Sequence, residues 1–329
     1  MPSTPHLRVS ARNQPRDGHG GIELEPPSDT TTTALPPASA SARPTRRPIL
    51  LSFNEMPTWF QNEANRFVLN HYRPISNSIR VSFSSWLYLH NETINVYSHL
   101  LPALLFLPGL FYLLQYLSYN YPSLTTADFL AFSTFMLAAI TCLSLSATYH
   151  TLLNHSAHME NFCLRLDMLG VVLFILGDLI LGIYVVFWCE TLLRYLYWSL
   201  VGIFGTLTIL MTLHAKFQGQ RYRLVRALMF VATGLCGVAP LIHGLILFGK
   251  SQMMMTKALP YTLAKAGCLL SGTGFYATRF PESRYPGKFD LWGSHSIFHV
   301  LVVCAAVVQL MGYLDAFDYA QANLACSVV

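Results

Sequence analysis

The chain has 329 residues, of which 53% are hydrophobic and only 11% charged, against roughly 25% charged residues in an ordinary soluble domain. That balance excludes an ordinary soluble domain and points to a bilayer, so the net charge of +5 is read first as a topology signal; no nucleic-acid partner is expected. Seven cysteines (Cys142, Cys163, Cys189, Cys236, Cys268, Cys304, Cys326) are scattered singly, with no CxxC and no even framework, which reads as mostly buried apolar residues.

Residues 1–48 are rich in Pro, Thr, Ser, Ala and Arg and almost free of aromatic or large aliphatic residues, so a disordered cytosolic arm is expected there. The polar start, Met1-Pro2-Ser3-Thr4-Pro5, has no apolar core of a signal peptide, and insertion is expected to use the first spanning helix. Residues 49–95 read as a membrane-surface segment. From Pro57, the residues Trp59, Phe60, Ala64, Phe67 and Val68 share one helical face, and Arg73-Pro74 stops the run; a short amphipathic helix is expected, lying on the membrane or packed on protein.

Seven apolar stretches follow, at about 96–117, 128–149, 166–188, 192–213, 225–248, 258–278 and 296–317, each near the roughly 20 residues that span a hydrocarbon core. The expected fold is an all-α polytopic membrane protein with seven transmembrane helices over 96–317 and a short external tail, 318–329. With the N-terminus in the cytosol, the short inner segments carry Arg165, Lys216, Arg221, Arg223, Arg226, Arg279, Arg284 and Lys288. The outer ones carry Arg194, Lys250 and Lys257. This split places the N-terminus inside and the C-terminus outside, the inverse of G-protein-coupled receptors.

Topology decides which polar groups can meet. His295 and His299, four apart, share one face at the start of the seventh span. His150 ends the second span and Asp167 starts the third, so all four fall at the cytosolic leaflet; Ser146, four residues before His150, shares its face. Three imidazoles can hold Zn²⁺ with one position open, and zinc brings the pKa of bound water from about 15.7 toward 7. Asp167 is placed to orient that water or accept its proton. Ser146 is placed to donate a hydrogen bond to the water or to a developing oxyanion. The competing reading makes each histidine an interfacial cap or headgroup contact. His155 and His158, in the inner loop, are alternate ligands. Deeper in the membrane, Asp178 and Lys265 reach a similar depth and are expected to pair. Glu92 and His99, which flank the start of the first span, read as an acid favoured by the helix dipole and an interfacial ring, and the glycine-rich stretch Gly267 to Gly274 in the sixth span reads as a site of close helix packing.

Ser146-Ala147-Thr148-Tyr149-His150, Leu166-Asp167, and Pro286-Gly287-Lys288-Phe289-Asp290-Leu291-Trp292 followed by Ser294-His295 and Phe298-His299 resemble the signature motifs of the progestin and adipoQ receptor family, which includes adiponectin receptors and haemolysin III-like proteins. Arg73-Pro74, the run from His90 to His99, and Ala277 to Glu282 extend the similarity over roughly Pro57 to Tyr313. The chain departs from the pattern by one residue fewer between Trp292 and Ser294-His295, and by Ser296 where Gln is usual. The resemblance implies seven helices of inverted topology and zinc held by His150, His295 and His299, with Asp167 hydrogen-bonded to its water. It also implies an association with lipid signalling, zinc and sterol homeostasis, and ceramide amide hydrolysis.

Three functions are weighed. The first is an intramembrane zinc hydrolase of a lipid amide of the ceramide type, releasing a fatty acid. The second is a signalling receptor, open to an extracellular ligand, in which zinc is structural. A zinc transporter ranks last, because no chain of ligands crosses the membrane. The expected location is a multi-pass position in the plasma membrane or the endoplasmic reticulum.

Overall fold

A computed structural model describes residues 49–61, 65–217, 222–324 and 326. The expected disordered arm, 1–48, lies outside the described residues. Among those described, the architecture is all-α, with one isolated antiparallel bridge between Leu51 and Tyr72. The helices are α1 (Ile79–Ser84), α2 (Thr93–Asn120), α3 (Thr126–Leu152), α4 (Ala157–Val186), α5 (Thr191–Leu213), α6 (Arg223–Leu235), α7 (Val238–Thr256), α8 (Leu259–Thr278) and α9 (Ser294–Asn323). Among the described residues, six segments are long and apolar enough to cross a membrane: α2, α3, α4, α5, the Leu228–Thr256 run and α9. The expected sixth span is the helix α8, but Thr262, Lys265, Ser271, Thr273 and three glycines dilute its apolar character. The expected fifth span is two helices joined at Cys236-Gly237, and α7 breaks at Gly249, whose φ of 76° suits a residue without Cβ. Helix α9 runs on to Asn323, so residues 318–323 of the expected tail are helical.

Helix ends are fixed by short polar side chains. Thr125 and Asp128 form a capping box at the start of α3, and Asp128 also accepts the Tyr184 hydroxyl at 2.6 Å, tying α3 to α4. Ser156 caps α4 through the Met159 amide. At the other end of α3, the buried Arg73 guanidinium donates to the carbonyls of His150 (2.7 Å) and Thr151 (2.9 Å), which the helix itself leaves unpaired.

The aromatic core gathers Leu117, Phe132, Phe135, Leu181, Tyr184, Tyr313 and Phe317, from the C-terminal parts of α2, α4 and α9 and the N-terminal part of α3. The opposite ends of the same four helices are polar. Large apolar side chains such as Leu105, Phe111, Ile246 and Leu270 point outward; in a bilayer that is the lipid face, and packing rather than water exclusion holds the helices together. Gly170 and Gly177 let α4 approach α3 closely, since a Cβ at Gly177 would stand 2.6 Å from that of Ala138. Between α4 and α8, Lys265 donates to Asp178 at 2.7 Å and Tyr313 donates to the same carboxylate at 2.9 Å. The expected pair thus forms inside the bundle, with a hydroxyl as a third member.

Two expectations change. The stretch from Pro57 is not a helix among the described residues: 58–60 and 65–67 are turns, with 62–64 outside the described residues. Its apolar residues are used differently, because Met56, Phe60 and Tyr72 pack with Leu153 at the end of α3. The cysteines are not all solitary either. Cys189, in the α4–α5 turn, is bridged to Cys326 beyond α9, while Cys142, Cys163 and Cys236 are free and buried. A partner 137 residues away leaves no spacing signal in the chain.

Candidate metal centre

His150 stands on the last full turn of α3, and His295 and His299 on the first two turns of α9. Their ligand nitrogens lie within 4.8 Å of one another, so this group could hold a metal ion. The Nε2 atoms of His295 and His150 are 3.3 Å apart, and those of His299 and His295 are 3.0 Å apart.

The other face of each ring decides what those nitrogens carry. His150 Nδ1 lies 2.8 Å from Glu92 Oε2, and His299 Nδ1 lies 3.2 Å from the Asn95 carbonyl oxygen and 3.2 Å from Ser98 Oγ. A carboxylate and a carbonyl only accept, so both Nδ1 atoms carry hydrogen and both Nε2 atoms present lone pairs. An Nε2–H on His295 donating to one of these lone pairs would satisfy the contact, and so would a metal ion held by all three Nε2 atoms. The spacing fits such an ion: zinc–nitrogen bonds of about 2.0–2.1 Å put two tetrahedral ligands about 3.3 Å apart.

Asp167 is buried on α4 and lines a cavity of about 200 Å³ together with Glu92, Tyr149, His150 and His295. Ser146 is buried one turn before His150. The structure therefore brings all five expected site residues to one end of the bundle, from α3, α4 and α9. His155 and His158 are not in the cluster; His155 instead meets Ser156 Oγ at 3.1 Å.

The sequence reading missed the contribution of α2. Glu92 and His99 read there as a helix-start acid and an interfacial ring. Instead Glu92 is buried against His150, and the His99 ring stacks on His299 at 3.8 Å with the planes 3° apart. The signal was present in the spacing: Glu92, Asn95 and His99 fall on one helical face and all are buried. Burial pushes the Glu92 carboxyl up, but the hydrogen bonds from His150 Nδ1 and the Asn95 amide outweigh it and hold the group below the usual carboxylate range. Burial lowers Arg73 to about 10, which leaves it charged at neutral pH.

Two further acids shape the approach to the site. Glu282 accepts the Ser294 amide at 2.8 Å and also the Ser294 hydroxyl, placing negative charge at the α9 N-terminus just before His295. Asp290 accepts the amides of Leu69 and Asn70, both at 2.9 Å, and so ties the 65–70 turn to the connection leading into α9. That turn supplies Asn65 and Val68 to the cavity wall. Ser296, the departure from the family pattern, donates to Asn95 Oδ1 at 2.7 Å.

Residues 87–310 match the family model described as haemolysin-III related. The chain is 35% identical over 277 residues to "Adiponectin receptor protein" of Drosophila melanogaster, covering 84% of this chain and 61% of that protein. It is 34% identical to "Progestin and adipoQ receptor-like protein 1" of Caenorhabditis elegans, over 85% and 63% of the two chains. It is 33% identical to "ADIPOR-like receptor IZH2" of Saccharomyces cerevisiae, over 93% and 96%. The match thus spans less than two thirds of the two animal proteins and nearly all of the yeast one.

Proposed function

The chain belongs to the haemolysin-III-related family of integral, multi-pass membrane proteins, and from that premise we propose that it is a seven-span zinc-dependent hydrolase of a lipid amide of the ceramide type. In this reading α8, the less apolar helix packed along α9, is counted as the sixth span, and the N-terminus faces the cytosol. The observation that carries the proposal is the convergence of three histidines, two of them with Nε2 lone pairs fixed by their neighbours, beside a cavity that His150 and His295 line together with Asp167. A closed structural zinc would want a fourth protein ligand, whereas three leave a position for water.

His150, His295 and His299 would hold the metal, which when bound makes water acidic enough to react near neutral pH. Asp167 would take a proton from the attacking water on its carboxylate and return it to the amide nitrogen as the carbon–nitrogen bond breaks. The products are a fatty acid and an amine. Ser146, one turn from His150, donates a hydrogen bond to the oxygen that gains charge. The acyl chain is accommodated by apolar walls such as Phe60, Leu164 and Met168.

A second reading rests on the relatives, whose names call them receptors: zinc ties α3 to α9, and a ligand signals through the cytosolic face. One experiment separates the two. Purified wild type and Asp167→Asn are compared for bound metal and for fatty acid released from ceramide. The expected result is one zinc per chain in both and a loss of about 10²–10⁴-fold in turnover in the variant. Zinc without turnover above the variant would remove the hydrolase and leave the receptor. Absence of zinc from wild type would remove both.

A further inference from the structure

Helix α2 gives no ligand to the centre, yet its first turn touches two of the three. Glu92 Oε2 takes the Nδ1 hydrogen of His150 at 2.8 Å and, at 2.7 Å, a hydrogen of the Asn95 side-chain amide. The Asn95 carbonyl oxygen takes the Nδ1 hydrogen of His299, and Asn95 Oδ1 takes the hydroxyl of Ser296, which lies between the two ligands of α9. Glu92, Asn95, His150, Ser296 and His299 are all buried. The network is therefore held within the bundle, along the wall of the cavity, and links the start of α2 to α3 and α9.

We propose that Glu92, braced by Asn95, is the positioning residue of the metal centre, fixing the tautomer and aim of His150 from a helix that supplies no ligand. The inference rests on the metal-centre reading above and deepens it. A carboxylate behind a ligating imidazole locks the ring, keeps hydrogen on the far nitrogen and makes the near nitrogen a stronger donor. Asn95 serves twice. Its amide holds the carboxylate in place, and its backbone carbonyl does for His299 what Glu92 does for His150. That second contact belongs to the main chain, so it survives substitution of the side chain, and Glu92 is the member that mutation can remove. The glutamate needs its charge as well as its shape, since a neutral acceptor at the same place would hold the ring but strengthen its donor atom less.

The test uses the full chain in detergent, loaded with zinc or cobalt, as wild type, Glu92→Gln, Asn95→Ala and Asp167→Asn. Zinc affinity is read by chelator competition, ligand-field strength by the cobalt absorption spectrum, and ligand protonation by the pH of half-loading. Glu92→Gln is expected to bind zinc about 10–100-fold more weakly, to shift the cobalt bands and to need a higher pH for loading. Asn95→Ala should move the same three readouts in the same direction by less, while Asp167→Asn keeps the wild-type zinc affinity.

A role for Glu92 confined to holding α2 against α3 would lower the thermal midpoint but leave the cobalt spectrum and loading pH at wild-type values, and that result overturns the proposal. If Glu92→Gln cannot be purified folded, Asn95→Ala decides, and its wild-type affinity and spectrum would overturn the proposal equally. Wild type that binds neither metal would instead remove the metal-centre reading itself.

Discussion

His90 accepts the Glu92 amide hydrogen on its Nδ1 at 3.1 Å, immediately before α2 begins. Protonation would turn that acceptor into a donor facing another donor. Burial, and then the charge of Arg73, push the ring down to about 3 from an ordinary 6.5. Between these values the unfolded chain binds a proton that the folded chain does not. Stability from this group is therefore complete above pH 6.5 and declines as pH falls toward 3, by up to about 1.4 kcal/mol per pH unit. The thermal midpoint of metal-free protein should fall between pH 7.5 and pH 5, and His90→Asn, which keeps an acceptor but does not titrate, should flatten part of that slope. Equal slopes would show that His90 stays neutral for another reason or not at all. At this scale the histidine cluster was legible because histidine spacing and helix direction suffice to put His150, His295 and His299 at one depth. Glu92 was not, since an acid at a helix start has a sufficient local explanation and its partner His150 lies 58 residues away.

Among the elements, α3 and α4 form the seam on which the site depends, because α3 carries His150 and α4 carries Asp167. Gly170 and Gly177, two turns apart, face α3; a Cβ at Gly177 would also stand 3.1 Å from the Thr134 carbonyl oxygen. Gly177→Ala should therefore push the helices apart and cost about 1–3 kcal/mol, seen as a lower thermal midpoint, with weaker activity from a displaced Asp167. An unchanged midpoint would mean that the seam yields freely. The sequence pointed instead to the glycine-rich stretch of α8 for close packing. There only Gly272 meets a neighbour, Phe298 at 3.0 Å, while Gly267 and Gly274 face open space. Composition reveals where glycines are dense, but a close approach needs glycine on the contacting face, and that depends on helix rotation. The 57–68 stretch misled in a related way. Its apolar period is real, but Phe60 packs on protein and the 65–70 backbone is committed to Asp290.

At the scale of the molecule, the two ends of the bundle are chemically opposite, with a polar histidine centre at one and an aromatic core with a disulfide at the other. Cytosolic thiols stay reduced, so a Cys189–Cys326 bridge is what an outer or lumenal position of this end, as in the proposed orientation, would allow. That orientation, proposed from lysine and arginine, would place the histidines toward the cytosol. In intact cells displaying the protein at their surface, a membrane-impermeant thiol reagent applied after mild reduction should label Cys189 and Cys326, whereas an N-terminal tag should be reached only after permeabilisation. The reverse pattern would invert the topology and move the proposed chemistry to the outer leaflet. The apolar stretches were readable one by one because membrane thickness sets their length. How they are joined by the Cys189–Cys326 bridge was not, because a covalent link between distant segments leaves no period in the chain.

That link changes what kind of object the polypeptide is. Joining residue 189 to residue 326 makes α5 through α9 part of a closed loop, so the chain is a tailed ring rather than a string. A single backbone cut anywhere inside the ring opens it without parting it, and the pieces remain one molecule until the bridge is reduced. Helix α9, which brings two of the three histidines, is thereby kept beside α4, which brings the aspartate, even when the chain between them is broken.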